Sequence, residues 1–301
     1  MQQSGQYGKM YYGTVRPFLD FHPDQDAEAL HKAMKGLGCN DKAVVDIICR
    51  RNNAQRQQIR NTFKSFFGKD LLESLKNELH GDLEDAILAL MLTPAEYDAV
   101  ELFRSMDGIG TNELVLIEIL TTRTNSQIIE IKQKYREMYG KDLEKCLRSE
   151  TSGHFRQLLV ALSVAARDES TTVDPVRAAA DAQALYAAGA KRLGTEESVF
   201  IRIIGSQNPY QLNAVFAEYQ KICGKSIEYS IKQEFSGDIE LALLTLGLDF
   251  LLIIVSKIVY SSFGYGFVTK VVSPKSCNLH SSILWSVTIN YDQNLNSRIL
   301  D

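Results

Sequence analysis

The chain has 301 residues, 33 Lys+Arg against 37 Asp+Glu, and a formal net charge of −4. With 45% hydrophobic residues, six prolines and 19 glycines, it has enough apolar material for a real core, which excludes the disordered, collagen-like and low-complexity classes. Its mild acidity excludes long-range attraction to nucleic acid or an anionic membrane, so binding to such a surface requires a positive bridge.

Residues 1–20 form a short head rich in Gly, Gln and Tyr. No apolar run follows its first charge, which predicts no signal peptide. The head reads as a disordered segment able to recruit a protein partner. Five cysteines (Cys39, Cys49, Cys146, Cys223, Cys277) are odd in number and lack CxxC spacing. That argues against a disulfide framework or a zinc site and for a reducing, cytoplasmic setting.

Residues 21–92 carry three landmarks. A glycine loop, Met34-Lys35-Gly36-Leu37-Gly38-Cys39, comes first, then Phe67-Gly68-Lys69-Asp70-Leu71, then Gly81 ahead of an apolar run. Between them Val44, Val45, Ile47 and Ile48 share one face at helical spacing. Residues 93–167 repeat the order. Thr93-Pro94-Ala95-Glu96 reads as a capping box with Pro at the first helical position. Met106-Asp107-Gly108-Ile109-Gly110-Thr111, the face of Leu116, Ile117, Ile119 and Leu120, Tyr139-Gly140-Lys141-Asp142-Leu143 and Gly153 follow. Residues 168–173 are polar and read as a linker. Residues 174–246 open on an Asp174-Pro175 cap and carry Lys191-Arg192-Leu193-Gly194-Thr195, Cys223-Gly224-Lys225-Ser226-Ile227 and Gly237.

The offsets agree. Gly38 to Gly110, Gly68 to Gly140 and Gly81 to Gly153 are each 72 residues, and the next step is 84 in all three cases. Within each repeat the glycines lie 30 and then 13 apart. This register predicts an all-α chain of three repeats, each of about five short helices: one before the GxG loop, three between loops, and a last apolar one. The last helices, residues 86–92, 158–164 and 239–246, are apolar on most faces and are expected to form the buried axis.

Forty residues after the second loop glycine stands an acid every time: Glu78, Glu150 and Glu234. This pairing suits calcium. The ion takes 6–8 hard oxygen ligands and accepts backbone carbonyls, which a GxG turn can align because glycine tolerates positive φ. Three carbonyls and a bidentate Glu supply about five oxygens and leave about two positions for water or a lipid phosphate. One carboxylate per site implies weak intrinsic affinity, and a phosphate completing the shell would couple calcium and lipid binding reciprocally. Taken singly, each glycine is equally well a helix C-cap and each acid a helix-end charge; threefold repetition favours the site. Leu37, Ile109 and Leu193 lie at the loop tips, where they either contact lipid or staple their own loop.

At these residues the sequence resembles the annexin family: the MKGLG loop, the Gly-Lys-Asp-Leu landmark, and the delayed acid in Ser149–Gly153 and Gln233–Gly237. The resemblance implies an annexin-like array of five-helix repeats in a right-handed superhelical arrangement, with calcium loops on one convex face that docks on acidic, phosphatidylserine-like phospholipid. It implies metal ligation by Met34, Gly36, Gly38 and Glu78 in repeat 1, and by Met106, Gly108, Gly110 and Glu150 in repeat 2. In repeat 3, Gly189, Arg192, Gly194 and Glu234 take the family's variant pattern. Secondary metal positions fall at Cys39/Asp41, Thr111/Glu113 and Thr195/Glu197. Cys39 stands where the family has Thr, with expected loss of a helix cap worth about 1 kcal/mol. The arginine at Arg51 and Arg123 becomes Gln207 in repeat 3.

The family's fourth repeat is absent. Residues 247–301 carry no landmark and hold the single tryptophan, Trp285; they read as the atypical tail of a truncated, alternatively spliced or misread transcript. The near-apolar stretch 239–259 approaches membrane-spanning length, but its first half is already the last helix of repeat 3, and Asp249 at mid-bilayer would cost about 3 kcal/mol. A buried or misfolded extension is the expectation. No HExxH, GxSxG or Walker loop is present, so no enzyme is expected. His80 and His154 read as solvated loop histidines. The sequence thus predicts a cytoplasmic protein that becomes peripheral on acidic membranes when calcium rises and binds no nucleic acid. The alternative is a protein-binding helical scaffold with calcium incidental.

Overall fold

The computed structural model describes residues 15–36, 38–191 and 194–247. Among the described residues are fifteen helices and no strand. The first set is α1 (Pro23–Ala33), α2 (Asp41–Ile48), α3 (Asn53–Phe67), α4 (Leu71–Glu78) and α5 (Gly81–Met91). The second is α6 (Pro94–Met106), α7 (Glu113–Thr122), α8 (Asn125–Tyr139), α9 (Leu143–Glu150) and α10 (Gly153–Ser163). The third is α11 (Pro175–Ala188), α12 (Glu197–Ser206), α13 (Pro209–Cys223), α14 (Ile227–Glu234) and α15 (Asp238–Gly247). The five-helix reading of each repeat therefore holds, with the glycine loop after the first helix of each set. The tail beyond Gly247, including Asp249 and Trp285, lies outside the described residues, as does the head before Val15. Within the described residues no helix is long and apolar enough to cross a membrane.

The second landmark is a helix stop followed by a helix start. Gly68, Gly140 and Gly224 take φ of 66°, 64° and 70°, a left-handed cap that ends α3, α8 and α13, as glycine does at no steric cost. Two residues on, Asp70, Asp142 and Ser226 accept hydrogen bonds from backbone N–H groups in the first turn of α4, α9 and α14, satisfying donors the helix leaves open. The capping box at α6 forms as the sequence indicates: Thr93 N–H donates to Glu96 Oε2 at 2.9 Å and Glu96 N–H to Thr93 Oγ1 at 3.3 Å. Asp174 likewise caps α11 through the N–H groups of Val176 and Arg177 at 2.9 and 3.1 Å.

The chain divides between Tyr97 and Asp98 into two compact units. In the first, α1 packs on α2 and α3, and α5 on α2, α3 and α4, around a core that includes Leu30, Val44, Ile48, Phe63, Leu75 and Met91. In the second, α10 packs on α7, α9, α12 and α15, and α15 on α7, α12 and α14. The last helices of repeats 2 and 3 are thus the inner ones, as expected, although Leu241 on α15 remains exposed.

Each repeat ties its first helix to the end of its second through a buried carboxylate. Arg51 Nε and Nη2 donate to Asp26 at 2.6 and 2.8 Å. Arg123 makes the same fork on Asp98 at 2.7 and 2.9 Å. In repeat 3 Gln207 Nε2 donates to Asp181 at 2.6 Å, leaving its own Oε1 buried with no hydrogen-bond partner. Arg177 and Arg202 stand 3.5 and 3.9 Å from Asp181 and supply the missing charge from the surface.

The polar stretch between repeats 2 and 3 is pinned along its length. Asp168 N–H donates to the Ser206 carbonyl at 2.8 Å. Asn208 Nδ2 donates to Asp168 Oδ2 at 2.7 Å and to the Thr172 carbonyl at 3.1 Å. Asn125 exchanges hydrogen bonds with the Arg167 backbone, and its N–H donates to Glu169 Oε1 at 2.7 Å. The segment is a strap laid across the starts of α8 and α13.

Glu118, on α7, faces inward. Burial pushes its carboxyl up to about 7, Arg123 opposes the rise, and Asp98 and Glu101 add to it. Its Oε1 is buried without a hydrogen-bond partner. Because the folded state favours the protonated acid, stability falls as pH rises from about 4.5, the ordinary value, through about 7. Glu118→Gln is expected to remove that fall. Urea midpoints at pH 5 and pH 8 test this: the variant should gain on the native chain only at pH 8.

Candidate functional site

The three loops close alike. After the first helix of repeat 1, Asn40 N–H returns to the Ala33 carbonyl at 2.9 Å, and in repeat 2 Asn112 N–H returns to Ser105 at 2.8 Å. In repeat 3 Glu196 N–H returns to Ala188 at 2.8 Å, a span one residue longer than in the other two. The glycines inside have positive φ: 114° and 86° at Gly36 and Gly38, 102° and 88° at Gly108 and Gly110, and 82° at Gly194. A Cβ at these positions would meet nothing within 4 Å, so glycine is demanded by the backbone path and not by crowding. Leu37, Arg192 and Leu193 lie outside the described residues. At the tip of the second loop Ile109 is fully exposed and packs on nothing, which removes the stapling reading there.

Glu78, Glu150 and Glu234 are the last residues of α4, α9 and α14. A carboxylate there faces the negative end of the helix macrodipole, at a cost of about 0.3–1 kcal/mol. Each is brought to its loop. In repeat 1 the Cys39 thiol is pushed up to about 11, first by burial, then by its hydrogen bond to Asp41 and by the charges of Asp41 and Glu78. In repeat 2 Thr111 Oγ1 donates to the Glu150 carbonyl at 3.2 Å. In repeat 3 the Thr195 hydroxyl donates to Glu234 Oε2, and a Cβ on Gly189 would lie 3.6 Å from Glu234 Cγ and 3.1 Å from the Phe200 ring. At Gly189 the Phe200 ring leaves little room for a side chain, whereas Gly38 and Gly110 have open space and only a positive φ.

The remaining predicted positions sit nearby. Met34 caps α1, and Met106 ends α6. Asp41, Glu113 and Glu197 open α2, α7 and α12, the helices that begin where the loops end. The helix cap ascribed to the Cys39 position belongs to Asn40, whose side chain accepts from Ala43 N–H at 3.1 Å. What cysteine replaces, judged by Thr111, is a hydroxyl tie to the acid's backbone. His154, read from the sequence as a solvated loop histidine, is instead half-buried, with its Nδ1 lacking a hydrogen-bond partner. It stands in the first turn of α10, and its Nε2 is 3.7 Å from Glu197 Oε2; its partner is a residue of the next repeat, so no local spacing signals it.

No group of three or more His, Cys, Asp or Glu is placed to hold a metal among the described residues. One carboxylate beside a loop of carbonyls is a donor set for a hard cation, and it does not suit a soft one.

Comparison with known proteins places this geometry. The annexin family model matches residues 25–90, 97–162 and 180–246, one match for each five-helix set. Annexin A8 of Bos taurus is 52% identical over 233 residues, covering 77% of this chain and 71% of the relative. The annexin III structure aligns with TM-score 0.76 at 46% identity over 78% of this chain and 73% of that one. A structure of calcium-bound annexin (Sm)1 aligns with TM-score 0.68 at 28% identity over 93% and 81%. Three consecutive repeats, matched in sequence and in helix order, make this chain a member of the annexin family.

Proposed function

We propose that the chain binds calcium in its three glycine loops and docks through it on acidic phospholipid, with no catalytic step. The observation that carries this reading is the threefold pairing of a positive-φ glycine loop with a carboxylate at a helix C-terminus, where the macrodipole disfavours it unless a cation is bound. In repeat 1 the carbonyls of Met34, Gly36 and Gly38 and the Glu78 carboxylate would hold the ion. In repeat 2 these are Met106, Gly108, Gly110 and Glu150, and in repeat 3 Gly189, Arg192, Gly194 and Glu234. Asp41, Glu113 and Glu197, with the carbonyls of Cys39, Thr111 and Thr195, would hold weaker secondary ions. Calcium supplies the positive bridge that a chain of net charge −4 lacks, and lipid phosphates complete its shell.

Ile109 adds an apolar anchor. Burying it in the lipid interface contributes about 1.5–3 kcal/mol, so Ile109→Ser is expected to raise the calcium needed for half-maximal binding several-fold without changing the melting temperature. Co-sedimentation with phosphatidylserine vesicles, with calcium and then with EGTA, tests the whole reading. The protein should pellet with calcium and return to the supernatant with chelator; a soluble chain at millimolar calcium overturns it.

A further inference from the structure

A second charged feature lies outside the loops. Where α8 gives way to α9 there is an open cleft of about 540 Å³, lined by Arg136, Lys141, Asp142, Lys145, Cys146 and Ser149. Three cations face one carboxylate, and that carboxylate is already engaged. Asp142 accepts from Lys145 N–H at 3.1 Å and from Arg136 Nη2 at 2.7 Å, and these bonds hold it below the usual carboxylate range. Lys141 lies over the Phe103 ring at 5.1 Å from its centroid. Lys145 is exposed, and its ammonium has no acceptor among the described residues.

The repeats supply an internal comparison. The position of Lys145 is Glu73 in repeat 1 and Tyr229 in repeat 3, and in repeat 3 Lys225 closes over the Tyr229 ring at 4.4 Å. Glu73 suits its place in the first turn of α4, where the macrodipole favours an acid; Lys145, three residues past the Asp142 cap, takes the equivalent place in α9 against the same field. A residue that opposes its local helix signal, in a cleft it shares with Arg136 and Lys141, points to a ligand and not to folding.

We propose that this cleft binds a phosphomonoester dianion, independently of the calcium loops. The Arg136 guanidinium and the Lys141 and Lys145 ammoniums, all lining the cleft, would supply donors and counter-charge for its charge of about −2. The Ser149 hydroxyl stands at the end nearest Glu150, 2.9 Å from the Cys146 carbonyl and 3.2 Å from Glu150 Oε1 as possible acceptors. The ester has two sources, a soluble phosphate ester or a lipid headgroup.

The test uses the full chain in EGTA, which silences the loops, so its outcome is separate from that of vesicle docking with calcium. Glycerol phosphate binding is measured by calorimetry, and phosphatidic acid vesicle binding by sedimentation. Each is repeated with Lys145→Glu, a change that improves the helix signal and keeps the fold. Binding of glycerol phosphate that weakens at least tenfold in K145E supports the site with a soluble ester. Sedimentation with phosphatidic acid alone, lost in K145E, supports it with a lipid headgroup. No binding of either probe, or equal binding by K145E, overturns it.

Discussion

A chain with Gln at positions 78, 150 and 234 is expected to stay in the supernatant with phosphatidylserine vesicles at calcium levels that pellet the native protein. Each substitution removes the one carboxylate of its site, weakening calcium by on the order of tenfold or more. Three sites engaging one vesicle multiply their losses. Unfolding cannot account for the result, because Glu78, Glu150 and Glu234 each end a helix and removing their charge relieves an unfavourable macrodipole contact of about 0.3–1 kcal/mol. The triple variant should therefore melt at or slightly above the native temperature without calcium, and show less calcium-induced stabilisation. Retained calcium-dependent pelleting would mean that the loops do not carry the binding, and that the helical array acts as a scaffold.

The second large effect concerns stability. Arg123→Ala leaves the Asp98 carboxylate buried without its fork, the two side chains being 2% and 1% exposed. Removing one member of such a pair costs about 3–5 kcal/mol. Arg51→Ala should approach that cost, since Arg51 and Asp26 are 10% and 11% exposed. Gln207→Ala should cost only about 1 kcal/mol, the worth of one neutral hydrogen bond, because Arg177 and Arg202 still face Asp181. Urea denaturation of the three variants checks the order. Pairing Arg123→Met with Asp98→Leu should recover part of the loss, because the Asp98 carboxylate is then no longer buried without its fork, while Glu118 still loses the Arg123 charge. If Arg123→Ala proves as mild as Gln207→Ala, the buried fork is not a major support of repeat 2.

The repeat register made most of the fold legible, because glycine marks turns for a backbone reason that reads directly from sequence. Gly68, Gly140 and Gly224 stop helices, and Gly38, Gly110 and Gly194 turn loops, in the places that spacing assigned. What escaped depends on partners far along the chain. The strap looked like a linker because its polarity is local, while the side chains that pin it, Asn125 and Asn208, are about forty residues away. Glu118 was not singled out by the apolar face of Leu116, Ile117, Ile119 and Leu120. It is inward because α10 and α15 both pack on α7, which no single-helix pattern records. Lys145 differed visibly from Glu73 and Tyr229, but its meaning required the cleft.

The strap has a mechanical consequence. Asn208 grips it at Asp168 and Thr172, while Asn125 grips it at Arg167, so one short length of chain is riveted to both repeats it joins. A tethered pair that swings freely shares no load. Riveted in this way, the second and third repeats cannot hinge apart without shearing several hydrogen bonds at once, and a pull on one is borne by both. On a curved or fluctuating surface that stiffness makes two footholds act as one wide foot.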